Sequence, residues 1–326
     1  MFLIISHGGA VFYGAQRIHL SLRRRQDPHP RGGVAAGGTG AGGPADLPRC
    51  GGVHSSIRAR RRLPDGAGLR RGGSDHLGHG ASVAEGAPRL YFGPKGSWDW
   101  VVEDLYTRRC LAGNRFPGVP YFLLGHSMGS FLARTYLIRY PGTVDGAVIM
   151  GTGHMPSAVV TAGQLFVRRE IRRVGETCPS DAVTKLSFGT YNRAFAPNRT
   201  AFDWISVSQA NVDAYLSDPL CGENPSMGLF REMLSGIAFI TRPGNIRKMN
   251  ANTPVCFLSG SMDPVGEFGR GVRRACRSFQ KAGMRHVSMK LYPGLRHEIL
   301  NEDCREAIYE DICQWLERLL PAPAAV

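Results

Sequence analysis

Between Gly14 and Leu90 the chain has no phenylalanine, tryptophan or tyrosine, and no lysine precedes Lys95. From about Leu22 to Gly73 it is built of Arg, Gly, Ala and Pro with no helical or strand period. Such a stretch holds too little apolar surface to offset the entropy of ordering its backbone, about 1–2 kcal/mol per residue. No apolar run reaches the ~18 residues that a membrane-crossing helix requires. Met1 to Ile5 is apolar but short for a secretory signal and has no basic lead. The eight cysteines (Cys50, Cys110, Cys178, Cys221, Cys256, Cys276, Cys304, Cys313) show no paired spacing. That excludes a disulfide framework and points to reduced thiols in the cytoplasm. Asn198-Arg199-Thr200 matches a glycosylation sequon, which without a secretory leader is a chance match. No histidine or cysteine pattern has zinc-ligand spacing, so no metal and no cofactor is expected.

Charge is unevenly spread. The net charge is +14, and residues 1–74 hold twelve arginines against three aspartates, a net of +9. Only +5 remains for the rest of the chain, which is ordinary for a globular body. The basicity therefore belongs to the N-terminal segment and does not mark a nucleic-acid surface. With 326 residues, 43% of them hydrophobic, the chain can build one large α/β domain with an insertion.

Five residues carry the strongest signal, Gly125-His126-Ser127-Met128-Gly129. An apolar run, Val119 to Leu124, precedes them, and an amphipathic stretch, Ser130 to Tyr140, follows. Strand, sharp turn and helix are the context that G-x-S-x-G needs to be a nucleophile elbow. The turn forces Ser127 into a strained conformation, and the glycines let strand and helix backbones pass closely. Ser127 then stands at a helix N-terminus, where the dipole and the Met128 N–H can stabilise an oxyanion.

An elbow serine needs a base and an acid later in the chain. Pro254 to Gly260 reads as a buried strand, and Asp263-Pro264 follows it. A helix from about Gly269 to Ala282 and an alternating strand, His286 to Tyr292, lead through Pro293-Gly294 to His297-Glu298. The order is serine, acid, histidine, with gaps of 136 and 34 positions. The second gap fits one helix and one strand; the first requires an insertion. In these roles Ser127 is the nucleophile, His297 the general base and acid, and Asp263 the group that orients the imidazole. His126 is expected to pack or hydrogen-bond within the elbow, and His76 and His79 to hold their loop together.

From about Asp75 to Leu320 the chain resembles the monoacylglycerol lipase and lysophospholipase group of α/β-hydrolases, the serine aminopeptidase-like family. Asp75-His76-Leu77-Gly78-His79-Gly80 is similar to the family's D-x-x-G-H-G loop, and Gly125 to Gly129 to its G-H-S-M-G elbow. Gly260 to Val265 resembles its acid turn, and Tyr292 to Glu298 its histidine loop. The resemblance implies a mostly parallel sheet flanked by helices. It assigns residues 75–153 and 251–320 to the core and residues 154–250 to a helical cap over the site. The cap segment holds helical stretches (Thr161 to Val174, Ser208 to Leu216, Gly228 to Ile240) and aromatics that read as exposed: Phe188, Tyr191, Phe195, Phe202, Trp204, Phe230 and Phe239. An apolar cap implies an apolar acyl group.

The activity implied is hydrolysis of a lipid ester, of monoacylglycerol or lysophospholipid type, through an acyl-enzyme. The partner is that small-molecule substrate, with no nucleic acid and at most transient contact with a membrane. An aminopeptidase or general esterase on the same residues is the alternative, as is a non-catalytic product of a damaged reading frame. Oligomeric state stays open.

The resemblance also demands strands and an oxyanion loop from residues 1–74. GC-rich codons read out of frame yield Arg, Gly, Ala and Pro, and on that reading the N-terminal strands are disrupted; a genuine disordered insertion is the other reading. Phe2 to Ile5 followed by Ser6-His7-Gly8-Gly9 resembles a strand and oxyanion loop, with the Gly9 N–H as second donor beside Met128. His7 and Asp75 are 68 positions apart, about twice what one helix and one strand need. The alternative first strand is Arg17 to Leu22, with the loop lost near Cys50. Limited trypsin digestion should cut between Arg23 and Gly73 and spare the body after Asp75; a protease-resistant segment there would refute the out-of-frame reading.

Overall fold

The computed structural model describes residues 2–7 and 70–320. Gly9, the alternative strand Arg17 to Leu22, and residues 8–69 of the arginine-rich stretch lie outside the described residues.

Six strands form one sheet: β1 (Phe2–His7), β2 (Arg70–Gly73), β3 (Tyr121–His126), β4 (Gly146–Met150), β5 (Val255–Gly260) and β6 (Val287–Tyr292). All pairings are parallel and the order is β2-β1-β3-β4-β5-β6. Helices α1 (Ser97–Arg115) and α2 (Met128–Arg139) flank β3 in the sequence. Between β4 and β5 come α3 (Ser157–Val174), α4 (Asp181–Phe188), α5 (Gln209–Ser217), α6 (Met227–Ile240) and the one-turn α7 (Pro243–Ile246). Helices α8 (Arg270–Lys281) and α9 (Arg305–Glu317) follow β5 and β6. This is the α/β-hydrolase layout.

The central strands β3, β4 and β5 are buried along their whole length. Parallel strands covered on both faces read as continuous apolar runs, which is why no alternation marks them. Their side chains still alternate in space. Tyr121, Leu123, Ala147, Ile149, Val255 and Phe257 join the large core under α1, α2, α6 and α8. Phe122, Leu124, Val148, Met150, Cys256 and Leu258 face the smaller core that α9 covers with Ile308, Ile312 and Leu316.

Three expectations change. The composition predicts irregular backbone through Gly73, yet Arg70–Gly73 form β2, paired to β1 from Phe2↔Arg70 to Ile5↔Gly73. A strand with no apolar pattern of its own is set here by its partner's main chain. Second, α2 is not amphipathic in place: every residue from Met128 to Ile138 is buried, because α6 packs against the helix in addition to the sheet. Even Arg134 is fully buried, donating from Nη1 to the Gly153 carbonyl at 2.8 Å. Burial pushes its pKa down to about 9. Third, the insertion's aromatics are not exposed: Phe230 is buried and the other six are half-buried.

Helix α1 has no capping side chain of its own, since Gly96 precedes it in a left-handed conformation. The cap comes from α6. Glu232, buried, accepts from the backbone N–H groups of Gly96 and Trp98 at 3.0 Å each. A carboxylate at a helix N-terminus is favoured by orphan N–H groups and by the dipole. Arg231 donates from Nε to the same carboxylate at 2.8 Å, and also pairs with Glu176, which accepts from the Tyr91 hydroxyl. Replacing Glu232 by Ala strips a buried acceptor from three donors. Urea denaturation of Glu232→Ala should show a loss of about 3 kcal/mol; a loss within ordinary surface-mutation scatter would mean that α6 does not cap α1.

Candidate active site

At the C-terminal end of β3 the chain turns into α2 through Ser127, whose φ of 54° and ψ of −123° are strained for a residue with a side chain. A Cβ on Gly125 would lie 2.3 Å from the Gly129 carbonyl oxygen and 2.8 Å from the Ala133 Cβ. The strand and helix backbones are therefore in contact, and only glycine fits. The Ser127 N–H donates to the Met150 carbonyl at 3.1 Å, which ties the elbow to the end of β4. Met128 opens α2, so its N–H belongs to the first turn, whose N–H groups have no partner within the helix.

Asp263 stands three residues past the end of β5 and is fully buried. Its carboxylate accepts from the Val265 N–H at 2.9 Å and the Ser259 hydroxyl at 3.2 Å. His297 arrives on the loop after β6. Gly260 makes this meeting possible: a Cβ there would lie 2.1 Å from the Arg296 carbonyl oxygen and 2.2 Å from that of Leu295. The two loops are laced by Ser261 N–H to Tyr292 O and Met262 N–H to Leu295 O, both 2.9 Å.

His297 Nδ1 donates to both Asp263 oxygens, at 3.0 and 3.1 Å. That bond fixes the tautomer and leaves Nε2 for other work. Burial alone would lower the imidazole pKa; the charge of Asp263, its hydrogen bond and the charge of Glu298 outweigh burial and hold the pKa above the ordinary value. His126, the residue before Ser127, lies with its ring 4.6 Å from the His297 ring and donates from Nε2 to the His297 carbonyl at 3.0 Å. Elbow, acid turn and histidine loop thus meet at one point. Gly151 borders it as well, since a Cβ there would lie 2.9 Å from both rings.

The insertion reaches the same point. The Trp204 ring lies 5.3 Å from the His297 ring, and Tyr191 packs edge-on against Trp204 at 5.0 Å. The sequence placed Trp204 in the cap and Glu298 in the histidine loop, but no signal marked Ser259 or Glu302 as neighbours of the site; the only trace of Glu302 is the acid pair Glu302-Asp303 shortly after His297. The D-x-x-G-H-G loop is held as expected. Asp75 accepts from the Ala81 N–H at 2.8 Å, and His79 Nδ1 donates to the Leu77 carbonyl at 3.0 Å. Burial lowers the His79 pKa, so the ring acts there as a neutral brace. In β1, His7 pairs with His126, so the carboxyl end of β1 lies beside the elbow. Gly9, the expected second donor, is outside the described residues. Among the described residues no group of three or more His, Cys, Asp or Glu is arranged to hold a metal ion.

The profile of the family described as "Serine aminopeptidase, S33" matches residues 66–304. A monoacylglycerol lipase of Mycolicibacterium smegmatis is 28% identical over 256 residues, covering 77% of this chain and 79% of the relative. The monoglyceride lipase of Homo sapiens is 24% identical over 247 residues, covering 75% and 72%. Among solved structures, a thermostable carboxyl esterase from Bacillus coagulans in complex with glycerol superposes with a TM-score of 0.71 at 27% identity, over 78% of this chain and 82% of that one.

The opposing effects on His297 give a measurable sign. In the intact protein its imidazole should hold the second proton to a pH above 6.5. In Asp263→Asn the opposing charge is gone, burial dominates, and the ring should titrate below 6.5. Imidazole ¹⁵N NMR reads both; an intact His297 that titrates below 6.5 would overturn this account.

Proposed function

Because the chain belongs to the serine aminopeptidase S33 family, we propose that it is a serine hydrolase that cleaves the carboxylic ester of a monoacylglycerol or lysophospholipid. The observation that carries this reading is the buried Asp263–His297 pair, hydrogen-bonded at 3.0 Å, in contact with the residue before the strained Ser127. Ser127 Oγ attacks the ester carbonyl carbon while His297 Nε2 takes its proton. The Asp263 carboxylate steadies the imidazolium that forms. The oxyanion is met by the Met128 N–H and the N-terminus of α2, and by a second N–H that we assign to Gly9. Collapse breaks the ester bond, His297 returns its proton to the departing alcohol, and the acyl group stays on Ser127. Water, deprotonated by His297, then releases the fatty acid and restores the serine.

The residues between β4 and β5 support an apolar substrate and a role as the cap, bounded at residues 154 and 250. Phe188 packs edge-on against Tyr191, Tyr191 edge-on against Trp204, and Trp204 against His297. Outward, Met155, Val159, Leu165, Leu186, Val207 and Leu216 are large apolar side chains left exposed. These suit contact with a lipid aggregate from which the substrate is drawn. Among the described residues no helix is long and apolar enough to cross a membrane. The peptidase reading uses the same chemistry and differs only in the acyl group accepted.

Ser127→Ala should lower ester turnover by several orders of magnitude and abolish labelling by a fluorophosphonate probe. His297→Ala should lose a similar amount, and the double variant little more, because the groups act as a unit. Wild-type turnover in Ser127→Ala defeats the assignment. Across p-nitrophenyl esters kcat/KM should rise from acetyl to decanoyl, at about 0.8 kcal/mol per buried methylene. A steady fall along that series, or faster cleavage of aminoacyl anilides, favours the general esterase or peptidase.

A further inference from the structure

Glu302 lies five residues past His297 and is 1% exposed. Its carboxylate accepts from the Ser206 hydroxyl at 2.8 Å and from the backbone N–H groups of Val207 and Ser208 at 3.0 and 3.2 Å. It also reaches the Arg296 N–H at 3.5 Å, directly before His297. Three of these four donors come from the segment between β4 and β5, and the fourth from the histidine loop. Each group aimed at the carboxylate is a donor, so an amide NH2 in its place would face N–H groups.

The contacts around this carboxylate run the same way. Arg296 donates from Nη1 to the Ser206 carbonyl at 3.0 Å and to the Asp203 carbonyl, and its guanidinium lies 4.1 Å from the centre of the Phe195 ring. The Glu298 N–H donates to the Ile205 carbonyl at 2.8 Å, and Asn211 Nδ2 donates to the Glu298 carboxylate at 3.1 Å. The neighbours of His297 on both sides are thus bonded to residues 203–211. Near the start of that segment sits Trp204, whose ring packs on the imidazole.

We propose that Glu302 is a positioning residue: it locks the insertion's Asp203–Asn211 segment to the loop that carries His297, so that the imidazole is held between Asp263, His126 and Trp204 only while that segment is seated. This rests on the serine-hydrolase reading of the site. The titratable groups that face the imidazole are Asp263 from the acid turn, Glu298 beside it and His126 from the elbow; Tyr191 of the insertion faces Asp263.

The test is Glu302→Gln in the full chain, assayed with p-nitrophenyl butyrate, a short ester that draws little on the apolar cap. The expected result is a fall in kcat of about 10- to 100-fold, the scale of a misplaced catalytic group, with KM within about twofold. The acid limb of kcat/KM should move to lower pH, because an imidazole less firmly held against Asp263 loses the interaction that raises its pKa. A general loss of folded protein would lower kcat without moving that limb. If Glu302→Gln does not fold, Ser206→Ala, which removes the one side-chain donor to Glu302 and leaves the carboxylate in place, should show the same shifts at smaller size. Wild-type kcat and an unmoved acid limb in whichever of these variants folds overturn the proposal. Ser127→Ala assayed alongside separates the two readings: turnover that survives it defeats the hydrolase assignment, while serine-dependent turnover indifferent to Glu302→Gln defeats only the lock.

Discussion

The site depends on a backbone approach. Where β5 runs out, the main chain at Gly260 lies against the carbonyls of Leu295 and Arg296, with no room for a side chain. Asp263 is three residues downstream of that contact and His297 one residue beyond Arg296. Their separation is therefore set by main chain against main chain, not by the packing of flexible side chains. Gly125 plays the same part at the elbow, where strand and helix touch. Two such contacts, at the carboxyl ends of β3 and β5 on either side of β4, hold the elbow, the acid turn and the histidine loop in one arrangement.

Burial then gives the pair its character. A carboxylate removed from water is costly unless its lone pairs are met. Asp263 is met by the Val265 N–H, the Ser259 hydroxyl and the His297 ring. The same withdrawal from water that would disfavour a charged imidazole also strengthens its attraction to Asp263 and Glu298. A ring buried this deeply can carry a second proton only with such a counterweight. The insertion contributes to this burial, because the Trp204 ring packs 5.3 Å from the imidazole.

What could be read beforehand follows from where each signal lives. The elbow, the acid turn and the histidine loop are local: glycines, a serine, an acid and a histidine at turns between apolar runs, each within a few residues. The strands β3 to β6 and the helices α2, α3, α5, α6 and α8 announce themselves by apolar run or period. Helix α1 was silent because its cap, Glu232, comes from α6. Helix α2 seemed one-sided in sequence terms, and α6 buries its other side. The four residues of β2 carry no pattern at all and are ordered by pairing with β1. The bonds from Glu302 to residues 206–208 span more than ninety positions, and a Glu between Asn301 and Asp303 does not say what it meets.

The position of β1 carries one more consequence, for the order of events during synthesis. It is an interior strand, flanked by β2 on one side and β3 on the other, and both neighbours come later in the chain. At a ribosomal pace of roughly 5–20 residues per second, its second edge finds no partner for on the order of ten seconds. Until β2 emerges, six residues of β-forming sequence, FLIISH, have two open edges, and until β3 emerges they keep one. A nascent chain in this state invites either a chaperone or a neighbouring nascent chain, so yield in the cell should be governed by translation speed and temperature as much as by the stability of the finished sheet.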